Sequence, residues 1–349
     1  MKPIKLKSII SAVALSGAML SHSFAADVRV LNWKGYGTDA EWAVDAFEKS
    51  TGNKVVHDYF NSEQEMLTKL RTNPGAFDVV LINSAYTLAA KEEGLIAPID
   101  VSSISHFGDI APNMASNADL APGGEVYGVP WTWGLTSFAI NTGSFDTAPD
   151  SLEVFWNSDY KGKIGWRDDP LESVQMSALV TGQDINNISD MDAIKKRLTD
   201  LMPQIKTFWS SEGDWNQFMA AGDFAAATIW SGSAARSMSK GLPVQFVVPK
   251  EGAIGWLDGL SIPESSTNKE AAAAFINWMI DPEFYTRWAE EGAPASANAK
   301  AAAALPEDNF NRSVLGDPEV VARVQFMQPV SDEDRNRYLE MWQDLKATQ

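Results

Sequence analysis

The stretch Trp256-Leu257-Asp258-Gly259-Leu260-Ser261-Ile262 reads as a strand that carries the chain from one lobe of a two-lobed protein into the other. It has a counterpart at residues 127–140, which is apolar, extended and broken by Pro130 and Gly134. Two α/β lobes joined by at least two such crossings enclose a cleft that closes by a hinge motion. The quoted stretch also carries chemistry. Strand side chains alternate between faces, so Trp256 and Asp258 point the same way. An indole face attracts positive charge by roughly 0.5–2 kcal/mol, and a carboxylate accepts charge-assisted N–H bonds. The pair therefore suits an organic cation. The same residues also fit a core tryptophan followed by an Asp258-Gly259 turn.

Outward from these crossings the chain alternates strand and helix. Residues 28–31 form a short apolar strand, Thr38 is placed to cap a helix over 40–50, Gly52 ends it, and residues 54–57 begin a second strand. A helix through Met66, Leu67 and Leu70 precedes residues 77–82, a mostly apolar run typical of a strand buried on both faces. Residues 155–246 repeat the alternation, with strands over 164–166, 205–209, 225–230 and 244–248 and a helix after Asp169. Two helices follow over 268–280 and 282–291, the second opened by Asp281 with Pro282 at its first position. The expected architecture is α/β, each lobe a mainly parallel sheet flanked by helices. The expected boundaries are 26–133 with 259–305 for one lobe, and 134–258 with 306–349 for the other.

Residues 1–25 read as a secretory leader: Lys2, Lys5 and Lys7, an apolar run over 9–20, and the small-residue site Ser23-Phe24-Ala25. The run is too short for a membrane span. The chain has no cysteine, which excludes a cysteine-linked lipid, disulfides and thiolate zinc sites. These features predict the periplasm of a two-membrane bacterium. The leader holds three lysines and no acid, so the remainder carries 25 basic and 46 acidic residues, a formal charge of −21. Such a surface repels phosphate backbones, so nucleic acid is excluded as a partner. The chain is expected to act as a monomer. Thirteen tryptophans are many for this length, and some should serve as an aromatic surface.

Enzyme chemistry is poorly served. Outside the leader only His57 and His106 remain, and neither lies in a metal-spaced pair. Nucleophile-elbow, Walker and dinucleotide motifs are lacking. Asp168, Asp169 and Glu172 could be read as a glycosidase acid pair or a calcium site, but the dense oxygen-ligand spacing of a calcium loop is missing. No catalytic residue, metal or cofactor is expected. Asp169-Pro170-Leu171-Glu172 is close to a helix capping box, a role that leaves one carboxylate oxygen free to meet a ligand.

Seven motifs then occur in order: Asn32-Trp33-x-x-Tyr36; Phe77-Asp78-Val79-Val80; Tyr160-Lys161-Gly162-Lys163; Asp168-Asp169-x-x-Glu172-x-x-Gln175-Met176; Ile229-Trp230-Ser231-Gly232-Ser233-Ala234; Pro249-Lys250-Glu251-Gly252; and Trp256-x-Asp258-x-Leu260-x-Ile262-Pro263. In that order and spacing the chain resembles the spermidine/putrescine-binding proteins that feed ABC importers, from about Val28 to the C-terminus. The resemblance implies a two-lobed periplasmic binding protein of type II with a hinged cleft, a small cationic or zwitterionic amine as ligand, and a membrane permease as partner.

Carried onto matching positions, the resemblance makes Trp33, Tyr36, Trp230 and Trp256 aromatic walls and Asp169, Glu172 and Asp258 ammonium acceptors. It makes Gln328 an amide at one end of the ligand, and places Ser84 and Tyr86 in a loop facing the cleft. A buried ammonium costs several kcal/mol unless paired, which carboxylates along an aromatic trough provide. Three positions depart from the family. Lys34 and Gly35 stand where small polar or acidic residues are usual, and Arg167 adds a cation before the acid pair. If Lys34 and Arg167 face the cleft, they are candidate contacts for an anionic end of the ligand. A zwitterionic or betaine-like ligand is therefore an alternative to a polyamine.

Overall fold

A computed structural model describes residues 27–348; the leader lies outside the described residues. The strands, in chain order, are β1 Asp27–Asn32, β2 Lys54–Tyr59, β3 Val79–Asn83, β4 Ile96–Ala97, β5 Val129–Asn141, β6 Ile164–Arg167, β7 Ile205–Trp209, β8 Ala226–Trp230, β9 Val244–Val247, β10 Ala253–Pro263, β11 Ala295–Ser296 and β12 Val324–Phe326. Eight of them follow one path, β2-β1-β3-β10-β5-β8-β6-β7, so one hydrogen-bonded sheet runs through both lobes.

The parallel pairing expected from strand–helix alternation holds in the outer strands and where the short β12 joins the start of β10. β1 pairs parallel with β2 and β3, and β6 with β7 and β8. The two crossings enter antiparallel: β10 to β3 and β5, and β5 to β8 and β9. A strand returning from the far lobe arrives against the direction of its neighbours, and the sheet is mixed for that reason.

The apolar cores show how the crossings work. Trp131 of β5 and Leu260 and Ile262 of β10 are buried with Val30, Phe47, Leu81 and Phe275 in one core. Phe138 of β5 and Ile254 of β10 are buried with Phe155, Trp166 and Trp342 in a second. Leu135 and Ala253 join Trp209, Trp215 and Phe224 in a third, on the other face of the second lobe's sheet. Each long strand is thus anchored by large buried side chains at both ends, worth roughly 1.5–3 kcal/mol apiece. Between these anchored ends Trp256, Leu257 and Asp258 pair with Gly134, Trp133 and Thr132.

Local expectations hold with two corrections. Gly52 ends the helix Glu41–Thr51 with φ 77°, the left-handed conformation that glycine adopts at least cost. Asp281 caps the helix Pro282–Ala289 by accepting from the Glu283 N–H. Thr38, however, caps nothing. The helix begins at Glu41 after Ala40, with no side-chain cap. The Thr38 hydroxyl is buried instead and accepts from Asn32 Nδ2 at 2.8 Å, because a buried amide left unpaired is costly. Asp258-Gly259 is not a turn either. β10 continues to Pro263, and the register slips between these two residues as a β-bulge.

Candidate ligand-binding site

Residues directly opposite in a sheet share a face, and three rows across the central strands build the site. Asn83, Asp258 and Thr132 form one row over β3, β10 and β5. Trp256 and Gly134 form the next. Ile254, Thr136 and Trp230 form the third, over β10, β5 and β8. The outer rows are four residues apart on β5, roughly 13 Å at strand rise. A carboxylate stands at each end with an indole between them.

At the first end Asp258 is buried, 6% exposed. Its Oδ2 accepts from the Tyr36 hydroxyl at 2.9 Å and its Oδ1 from Asn83 Nδ2 at 2.9 Å. The Asn83 carbonyl oxygen caps the helix Ser84–Glu92 by accepting from the Ala85 N–H, which turns the amide donor toward Asp258. Tyr36 packs edge-on against Trp131 and Trp288, with centroids 5.6 and 5.9 Å away, and its hydroxyl lies 3.3 Å from Thr132 Oγ1. Burial pushes the Asp258 carboxyl up to about 6, and the two donated bonds only partly offset it. Burial, followed by the Asp258 charge, also lifts the Tyr36 phenol well above its ordinary value, so it stays a donor.

At the second end Glu172 is 8% exposed. Its Oε1 accepts from Arg167 Nη1 at 2.5 Å, Trp230 Nε1 at 3.1 Å and Thr136 Oγ1 at 3.3 Å. Its Oε2 is buried with no hydrogen-bond partner among the described residues. Asp169 caps the helix Pro170–Val180, accepting from the Glu172 N–H at 2.9 Å, and its other oxygen lies 3.6 Å from Arg167 Nη1. Burial raises the Glu172 carboxyl above its usual range despite the neighbouring guanidinium.

Between the ends the Trp256 ring lies over Gly134, where any Cβ would overlap it. The Trp256 Nε1 is buried without a partner among the described residues. Tyr86, 9% exposed, carries the Arg335 guanidinium 4.6 Å over its ring, joining the helix Ser84–Glu92 to the helix Asp332–Lys346. Burial, then the charges of Glu63 and Asp169, push its phenol up to about 12. Ser84 is buried at the start of its helix, and Trp33 is half-buried against Phe60 at 4.5 Å.

Sequence reasoning missed Glu63 and Arg335. Burial first, and the nearby Asp258 charge second, lift the Glu63 carboxyl well above its usual value, and one of its oxygens is buried without a partner among the described residues. In sequence Glu63 is an ordinary first-turn acid after the Ser62 cap, and no local signal separates it from Glu65. Three further residues that the sequence singled out are placed as follows. Gln328 is exposed, its backbone N–H donating to Asn186 Oδ1 at 2.9 Å. Lys34 is exposed, its ammonium 6.0 Å from the Tyr59 ring. Asp168 turns away from Glu172 to Trp342 and Lys346, so the imagined acid pair is not formed.

Residues 42–314 match the model of a family described as bacterial extracellular solute-binding protein. The spermidine/putrescine-binding periplasmic proteins of Salmonella typhimurium and Escherichia coli are each 31% identical over 349 aligned residues, 98% of either chain. The crystal structure of a spermidine/putrescine ABC transporter substrate-binding protein from Streptococcus pneumoniae superposes with a TM-score of 0.81 at 24% identity, covering 93% of this chain and 99% of that one. Likeness at that identity shows a shared fold.

Proposed function

This chain belongs to the bacterial extracellular solute-binding proteins, and from that premise we propose that its cleft captures a polyamine or related small organic cation for the permease of an ABC importer. It is a carrier, as its family is, and not an enzyme. The periplasm as its compartment is supported by the leader-like residues 1–25 and by relatives that are periplasmic proteins. No described helix is long and apolar enough to cross a membrane.

One observation carries the reading. Asp258 is a buried carboxylate whose hydrogen bonds, among the described residues, come only from neutral donors, a phenol and an amide. An ionised carboxylate in such a place lacks a counter-charge, and a ligand ammonium supplies it. Trp256, two residues away on the same face, offers a ring for the adjoining methylenes. In this proposal Asp258 and Glu63 receive one end of the ligand and Glu172 with Asp169 the other. Tyr36, Tyr86, Trp230 and Trp256 line the path, with Trp33 at its edge. A zwitterion is served less well, because Lys34 lies outside the cluster and Arg167 is already neutralised by two carboxylates.

The test is calorimetry on protein refolded free of ligand, titrated with putrescine, spermidine and uncharged 1,4-butanediol. Saturable heat with an amine and none with the diol is expected. Silence toward every di- and polyamine sinks the reading.

A further inference from the structure

Arg167 stands where a bound cation belongs. Its guanidinium carbon lies 4.3 Å from the centre of the Trp230 ring. Its Nη1 is 2.5 Å from Glu172 Oε1 and 3.6 Å from Asp169 Oδ2. An aromatic face between two carboxylates is the environment that recognises an organic ammonium. The arrangement is built rather than incidental. Arg167 ends β6, a strand paired on both sides, and its backbone N–H donates to Thr228 Oγ1 of β8 at 2.9 Å. The Trp230 indole donates to the same Glu172 oxygen that the guanidinium meets.

We infer that Arg167 is a tethered cation filling one ammonium seat of the cleft, so that the site selects ligands with fewer positive charges, diamines over triamines. The inference rests on the amine reading above and concerns which amine. When ionised, Glu63, Asp169, Glu172 and Asp258 supply four negative charges around the cleft, against the guanidiniums of Arg167 and Arg335. Two ammonium groups balance the remainder. One pairs with Asp258, and the other reaches the free Oε2 of Glu172 beside Arg167. A third ammonium exceeds the two uncancelled negative charges and is repelled by Arg167, a penalty specific to the longer cation.

Putrescine and spermidine affinities of the refolded full chain, and of its Arg167→Met and Arg167→Lys variants, decide this, with near-ultraviolet circular dichroism checking each fold. If Arg167→Met does not fold, Arg167→Gln replaces it as the neutral variant. The native protein should prefer putrescine by roughly tenfold or more, and the neutral variant should move the ratio toward spermidine by roughly tenfold or more. Arg167→Lys keeps the charge and should stay within about threefold of the native ratio. Native preference for spermidine overturns the inference, as does a ratio that the neutral variant leaves unmoved. If the native protein binds neither amine, the amine reading has failed and a second readout judges the seat. Arg167→Ala should then take up methylguanidinium with a saturable tryptophan fluorescence change absent from the native protein, and no saturable change overturns the inference.

Discussion

At one end of the cleft Asp258 takes its hydrogen bonds from a phenol and an amide; at the other Glu172 takes them from a guanidinium, an indole and a threonine hydroxyl. Both carboxylates are buried to a similar extent. Neutral donors satisfy the geometry of a carboxylate without cancelling its charge, so Asp258 remains a source of attraction for a cation. Arg167 cancels one of the two charges that Glu172 and Asp169 offer. Burial alone therefore does not make a ligand site; the charge of the donors decides how much attraction is left for a ligand.

The largest expected effect separates affinity from stability. Asp258→Asn removes the uncancelled charge and should weaken amine binding by roughly 100-fold, about 3 kcal/mol, while the free protein loses little stability. Calorimetry and urea unfolding on the same samples check this, and a parallel loss of both would erase the contrast between the two ends.

The next effect is a pH dependence. Asp258 titrates at about 6 in the fold against an ordinary value of 3.8. Because the folded value is raised, the group's contribution to stability is fully present below the ordinary value and is lost as pH rises through about 6. A shift of roughly two units corresponds to about 3 kcal/mol at full expression. Unfolding of ligand-free protein should accordingly show native minus Asp258→Asn stability falling by roughly 2–3 kcal/mol between pH 4 and pH 7.5. A flat difference means that Asp258 is ionised at no cost.

Glu172→Gln should do the reverse of Asp258→Asn. It leaves Arg167 without its closest counter-ion and should lower stability by roughly 2 kcal/mol, with a smaller loss of putrescine affinity than Asp258→Asn causes. The smallest effect is expected outside both ends. Lys34→Ala should change amine affinity by no more than about twofold, as suits an exposed side chain away from the cluster; a larger change would bring Lys34 back into the site.

Much of this was legible in the sequence. Trp256 and Asp258 share a face because strand alternation is local geometry, and Asp169 caps a helix because the Asp-Pro-x-Glu pattern is local as well. Glu63 and Arg335 were not legible. Their positions depend on how the helix Glu63–Thr72 approaches β10 and how the helix Asp332–Lys346 reaches across to Tyr86. Nothing within a few residues of either records those distances. Thr38 went astray for a related reason, since a residue's type is local while its direction is set by the fold around it.

By itself the sequence determined the strand–helix alternation, the two crossings and the presence of aromatic and acidic side chains in matching order, because these depend on residue type and short spacing. Only the tertiary structure decided which carboxylate is left without a counter-charge. That depends on Arg167 of β6 meeting Glu172 and Trp230, while Tyr36 and Asn83 meet Asp258, and such encounters depend on how elements far apart in the chain pack together.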